Sequence, residues 1–397
     1  MEIYESKCPV FKKMDIENCC GCEVCISACP KGALHLKQDG AGFEYPVLDA
    51  EKCIECGICM HICPRLNTKS EINDIEIYFG ISNKNEDVLI NSASGGVFTF
   101  IHDKFKNEYP SGYIAGAVYT EDCKSIKHIV SADYSDFEKM RGSKYFQSHK
   151  YDIYKSVKEL LDAGEAVLFS GAPCEIGALK NYLSRDYNQL WTVDYICKGA
   201  SSPRILKEYI EYISSKKRSE AISINMRYKW KTLDCWIPQF LKIDFKNKKT
   251  FLHEFYNTEL GLGFQILQRK SCSTCSYREM KHYADFTLGD LHGWDKSDYI
   301  YNPLGASVLI VNTHKGQQLW NGWDKSEIKY HSINKESVYS KNRNPVDERS
   351  VKLRGLLEKY NAVEAVNKTI GIKEKIKMKM PVMLLRKMTV WWREHKK

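Results

Sequence analysis

Residues 19–30 read Cys19-Cys20-Gly21-Cys22-Glu23-Val24-Cys25-Ile26-Ser27-Ala28-Cys29-Pro30, and residues 53–64 read Cys53-Ile54-Glu55-Cys56-Gly57-Ile58-Cys59-Met60-His61-Ile62-Cys63-Pro64. Both are the run C-x2-C-x2-C-x3-C-P. Cysteines at that spacing wrap one loop around the corner of an iron–sulfur cube, and the proline turns the chain away after the fourth. In the two-cluster arrangement the fourth cysteine of each run ligates the other cluster. The spacing therefore assigns Cys19, Cys22, Cys25 and Cys63 to one [4Fe–4S] cluster, and Cys53, Cys56, Cys59 and Cys29 to its twin.

Zinc is the competing ligand for Cys-x2-Cys pairs, but a zinc site closes with four ligands, usually as two separated pairs. A repeated run of four cysteines with a following proline fits clusters better. A disulfide framework fits less well, because the apolar stretch in Met1–Lys13 is too short for a secretory signal. Sixteen cysteines among 397 residues then read as metal or redox chemistry in a reducing, cytoplasmic setting. Hydrophobic residues make up 43% of the chain, enough for a sizeable core, and no stretch approaches the ~18 apolar residues of a membrane span. The net charge is +9, yet residues 368–397 alone hold ten Lys or Arg against Glu374 and Glu394. The remainder is near neutral, which removes global basicity as an argument for nucleic-acid binding.

The pattern along the chain predicts a ferredoxin-like module over 1–70, with short strands at Ala33–Leu36 and Phe43–Val47. A polar linker follows at Asn67–Asn73. A mixed-sheet α/β body is expected over 73–335, written here as 73–160 and 161–335, and a polar, helical, finally basic tail over 336–397. Within the body, Ile75–Ile81, Tyr113–Tyr119, Ala166–Phe169, Leu190–Ile196, Asp285–Leu288 and Ser307–Val311 are strand-like. Trp236–Phe245 and Lys248–Phe255 form a β pair around Lys246-Asn247. Helical segments lie in Asp87–Phe105, Tyr151–Leu161, Glu175–Leu183 and Pro203–Ile213, the last opened by Ser202-Pro203. No GxGxxG follows a strand, so the usual dinucleotide fingerprint is missing.

Six stretches of the body offer chemistry. Ser94-Gly95-Gly96 is a small-residue turn before a helix, either an anion cradle or an ordinary capped turn. Gly142-Ser143-Lys144-Tyr145-Phe146-Gln147-Ser148, behind Arg141, mixes cations, hydroxyls, an amide and aromatics, which suits a phosphate or a flavin edge as well as a solvated loop. Cys174 sits at a strand–turn–helix junction and Cys197 at the end of the next strand. With the pair Cys272-x2-Cys275 they make four candidate ligands of a third cluster, the alternative being buried structural cysteines. Cys8, Cys20, Cys123 and Cys235 remain as non-ligands. Asp285, Asp290 and His292 end a strand in a Gly-rich turn, either for proton transfer or as turn formers beside a packed histidine.

Taken in order, the twin cysteine runs, Ser94–Gly96, Gly142–Tyr145, Gly171-Ala172-Pro173-Cys174, Cys197-Lys198-Gly199, Cys272-x2-Cys275 and Asp285-x3-Gly289-Asp290 resemble the coenzyme F420 hydrogenase/dehydrogenase beta-subunit family over residues 15–320. The resemblance implies FAD beside [4Fe–4S] clusters, with electrons passed between a ferredoxin-like protein and a two-electron acceptor. It makes Cys174, Cys197, Cys272 and Cys275 a body cluster. Ser94, Gly95, Gly96, Gly142, Ser143, Lys144, Tyr145 and Gln147 become flavin-binding candidates. Some members use the deazaflavin coenzyme F420, and others sit in bacterial polysaccharide pathways. The expectation is an iron–sulfur flavin-dependent oxidoreductase. The alternatives are an F420-dependent dehydrogenase subunit and a non-catalytic carrier that docks on a partner enzyme.

The tail outside that resemblance interleaves Lys, Met and Leu, carries Trp391-Trp392, and is interrupted by Pro381. It reads either as a cationic amphipathic helix for an anionic membrane surface or as a helix that packs on the body or a partner.

Overall fold

A computed structural model describes residues 7–67, 75–229, 239–279, 282–292, 297–338 and 347–394. The expected linker from residue 68 onward, the start of the Trp236 strand, Cys235, and Gly293-Trp294 after His292 lie outside the described residues. In chain order the strands are β1 (Leu34–Gln38), β2 (Glu44–Leu48), β3 (Ile77–Asn83), β4 (Tyr113–Tyr119), β5 (Ile126–Ser131), β6 (Val167–Ser170), β7 (Leu190–Tyr195), β8 (Ala221–Tyr228), β9 (Phe240–Phe245), β10 (Thr250–Glu254), β11 (Phe286–Asp290), β12 (Ser307–Val311) and β13 (Ile328–Ser332).

Eight of them form one mixed sheet in the order β13-β3-β12-β11-β7-β6-β4-β5. Its centre is parallel: β4 with β6, β6 with β7, and β7 with β11. The flanking pairs are antiparallel. Strands buried on both faces must be apolar almost throughout, and Val167-Leu168-Phe169 in β6 and Val308-Leu309-Ile310-Val311 in β12 are. Because β6, β7 and β11 run the same way, their C-terminal ends share one rim. That rim receives Cys174, Cys197 and Asp290.

Two further layers close on this sheet. β10-β9-β8 form a small antiparallel sheet. It shares a core with the helix Pro203–Lys217, whose N-terminus is capped by the Ser202 hydroxyl accepting from the Arg204 N–H at 3.2 Å. β1 and β2 pair antiparallel over the segments expected for them.

β4 and β6, on either side of residue 160, are neighbours in one sheet, so 73–160 and 161–335 are parts of one body. The helical segment after 336 packs on that body. The helices Arg349–Leu357 and Ala362–Thr369 bury Leu353, Leu357, Val363 and Val366 in the core that holds Phe43, Ile205 and Leu241. The basic end follows as two short helices, Ile372–Lys379 and Val382–Glu394, divided at Pro381 as its missing N–H requires. The helical stretch expected in Asp87–Phe105 is likewise two pieces, Glu86–Ile90 and Val97–Glu108, because Gly96 adopts φ +81° between them.

Candidate functional site

The first cysteine run is buried against the body. The Tyr154 hydroxyl donates to the Cys22 carbonyl at 2.8 Å, the Gln147 amide to the Gly21 carbonyl at 2.7 Å, and the Lys150 N–H to the Glu23 carboxylate at 2.7 Å. Gly21 has φ +69°, and a Cβ there would lie 2.0 Å from the Gln147 amide nitrogen, so only glycine fits. Electrostatic contact links Cys22 with Cys25 and Cys63, whereas Cys59 faces Cys56 and Cys29. Cys25 also lies in the field of Cys59, so the two runs sit close together. The second run is the outer one: Cys56 is exposed, flanked by the exposed side chains of Ile54 and Ile58.

Behind the inner run opens a cleft of about 2490 Å³. Cys174, Cys197, Cys272 and Cys275 all line it, brought there by the ends of β6 and β7 and by the turn before Tyr277. Cys197 faces Cys272 and Cys275, and Cys174 faces Cys275. Burial pushes the Cys197 thiol up to about 12, a cost that coordination to a metal would relieve. Cys20, set aside in the sequence as a spare thiol, also lines the cleft. It lies beside Cys174 on one side and Cys22 on the other. Nothing in its spacing marks it, because it lies between ligand positions and its neighbour across the gap comes from the end of β6.

Ser94, Gly96 and residues 142–147 line the same cleft. The Ser94 hydroxyl donates to the Ala306 carbonyl at 2.6 Å, and Gly95 is pressed so closely on β3 and β12 that a Cβ would meet Ile81 O at 2.5 Å and Ser307 N at 2.6 Å. The turn points the N-terminus of the Val97–Glu108 helix into the cleft. There the buried Thr99 hydroxyl and the Arg141 Nε have no hydrogen-bond partner among the described residues. Lys229, driven down to about 6 by burial and by Arg227, steadies the turn by donating to the Leu89 and Ser94 carbonyls at 2.7 and 2.6 Å. A helix N-terminus, two orphaned polar groups and a roomy cleft fit an anionic dinucleotide. Lys144 is not part of that cradle. Its ammonium caps the Tyr134–Met140 helix by donating to the carbonyls of Lys139, Met140 and Arg141 at 2.6–2.9 Å.

Of the proton-transfer candidates, Asp285 is corrected. It is buried away from the cleft, accepting from the Thr192 N–H and hydroxyl at 2.9 Å and from Thr313 at 2.7 Å, which ties β7, β11 and β12 together. Asp290 does line the cleft, paired to Arg227 at 2.7 Å, with the His292 Nε2 3.8 Å away. The sequence pattern did not disclose a buried ionic chain on the opposite wall. Lys150 contacts Glu175 at 2.5 Å, and the His128 ring lies 3.6 Å beyond. Burial would raise the Glu175 carboxyl, but Lys150 and His128 hold it below its usual range. Burial drives His128 down to about 4, so its ring is neutral at physiological pH. The Asp194–His282 pair, equally unmarked, is 2.8 Å apart and enclosed at the end of β7. A Lys or His separated from its partner by tens of residues leaves no local pattern to read.

Two comparisons bear on this arrangement. Residues 164–336 match the family model for the C terminus of the coenzyme F420 hydrogenase/dehydrogenase beta subunit, and residues 18–66 match that of the 4Fe–4S dicluster domain. The chain is thus related to the coenzyme F420 hydrogenase/dehydrogenase beta subunit through its residues 164–336. The first match contains all four body cysteines, and the dicluster match contains all eight of the twin runs. With the dicluster module, this makes the chain an iron–sulfur protein of electron transfer. A chain of the F420-reducing [NiFe] hydrogenase complex from Methanosarcina barkeri is similar over 75% of this chain and 94% of its own, at 16% identity and a TM-score of 0.45. No curated protein matches.

Proposed function

We propose that this chain is an iron–sulfur flavoprotein oxidoreductase that exchanges electrons between a ferredoxin-like protein and a two-electron organic partner. One observation carries the reading: the thiols run in sequence from the surface to the cleft. Cys56 is exposed, Cys22 is buried, Cys20 bridges Cys22 to Cys174, and Cys174 opens on the cleft that Ser94, Gly96 and Gly142 also line. Clusters bound at such thiols carry single electrons, and an FAD in the cleft pairs them. Cys174, Cys197, Cys272 and Cys275 would hold the third cluster. Thr99, Arg141 and the helix N-terminus after Gly96 would receive the pyrophosphate. Asp290 and His292, on the same cleft, would supply the proton. Ile54 and Ile58 give the protein partner an apolar contact beside the outer run. A pure carrier has no use for a cleft of about 2490 Å³ behind its clusters.

Iron counting on Cys197→Ser, prepared anaerobically, tests the third site. The variant should lose about four irons and keep about eight. An iron content equal to that of the wild type would remove the body cluster from the account.

A second reading concerns location. No helix among the described residues is long and apolar enough to cross a membrane. The helix Val382–Glu394 nevertheless exposes Met383, Leu384, Met388 and Trp391, while Leu385 anchors it to the body, and the preceding helix exposes Ile372 and Ile376 among lysines. Apolar side chains framed by cations complement an anionic bilayer surface. Deleting residues 373–397 should release the protein from anionic phospholipid vesicles in a sedimentation assay. Equal pelleting of both forms would end that reading.

A further inference from the structure

Arg269 is 1% exposed, yet no carboxylate lies within 4.0 Å of it among the described residues. Its guanidinium is spent on neutral acceptors: Nε donates to the Cys19 carbonyl at 2.7 Å, Nη1 to the Gln147 side chain at 2.8 Å, and Nη2 to the Glu44 carbonyl. The rings of Tyr45 and Phe43 cover it at 4.3 and 5.6 Å. Gly21, inside the first cysteine run, lies so close that a Cβ would stand 2.8 Å from the guanidinium carbon. The ionisable groups that act on it most are Cys19, then Tyr45, Cys20 and Cys272. The Glu44 carboxylate feels it only weakly, being engaged by His149 at 3.1 Å.

An isolated buried guanidinium costs several kcal/mol unless an anion compensates it. Four thiolates outweigh the positive charge of the iron–sulfur core, so a cluster at Cys19, Cys22, Cys25 and Cys63 supplies that anion. The match is strongest in the reduced form, which carries one more negative charge. Net charge and hydrogen bonding around the sulfurs are the levers by which a protein sets a cluster's potential.

We propose that Arg269 is the built-in counter-charge of the inner cluster and raises its reduction potential relative to the outer one. This deepens the function proposed above and rests on its ligand assignment. Electrons arriving at the exposed run are then drawn inward, toward the cleft. Arg269 is thus a positioning and tuning residue, and its bonds to the backbone of both β2 and the first cysteine run fix the charge in place.

The test is a potentiometric titration of the clusters by electron paramagnetic resonance, with iron counted on the same samples. Arg269→Gln should keep its iron and lower the midpoint of one ferredoxin-type cluster. The expected change is about tenfold or more in the reduction equilibrium, which is about 59 mV for a one-electron couple, with the twin unmoved. Arg269→Lys should move it less. Gln147→Glu, which places a carboxylate on Nη1 and leaves the arginine in the chain, should shift the same cluster in the same direction and serves if Arg269→Gln does not fold. Unchanged midpoints in iron-replete Arg269→Gln or Gln147→Glu would overturn the proposal. Wild-type protein without iron in the first run would instead refute the ligand assignment beneath it.

Discussion

Lys150 is a buried cation on which two carboxylates depend. Its ammonium meets Glu175 and donates to the Ser148 carbonyl at 2.7 Å, and its own N–H is held by Glu23. Glu175 in turn accepts from the Ala172 N–H at 2.8 Å, which fixes the start of the helix that carries Cys174. Removing one member of such a network leaves uncompensated charge in the interior. Lys150→Met should therefore destabilise the protein by about 3–5 kcal/mol, read from denaturant unfolding. A loss below about 1 kcal/mol, the range of an exposed pair, would show that solvent reaches the chain. None of these partners was visible beforehand. Cysteine ligands announce themselves by spacing because a cluster imposes a local geometry. Lys150 and Glu175 meet only in the folded chain, and the place of Asp285 away from the cleft was hidden for the same reason: its hydroxyl partners come from β7 and from the turn after β12.

At the level of elements, the parallel centre of the sheet decides where the site lies. Short apolar runs located β4, β6, β7 and β12 almost to the residue, since strands covered on both faces show no alternation to misread. Edge strands β5 and β13 escaped notice because their half-exposed patterns look like loops, and β8 because its bulges break the period-2 signal. The Ser94–Gly96 turn was legible, although the reason for its glycines was not. Gly95 is wedged between β3 and β12 and Gly96 needs a left-handed backbone. Gly95→Ala should force the turn off the sheet at a cost of about 1–3 kcal/mol and weaken retention of the proposed flavin during gel filtration. Full flavin occupancy with unaltered thermal stability would show that the turn neither packs nor binds as described.

Across the whole molecule, the twin runs fixed the chemistry while the domain limits did not follow from composition. Residues 349–370 are polar enough to read as a tail, yet their apolar positions complete the core beneath the cleft, because a helix needs only one apolar stripe to be held. The cluster module is also less separate than its motif suggests: Phe43 and Tyr45 pack into the same core as Ile205 and Val366. The result is one body in which thiols lead from an exposed run, through a buried run, to a cleft with an anion-ready wall. Cofactor content measures that claim most directly. Anaerobically purified protein should hold about twelve irons per chain, as three four-iron clusters, together with one acid-extractable FAD. About eight irons and no flavin, or zinc in place of iron at the thiol sites, would contradict it.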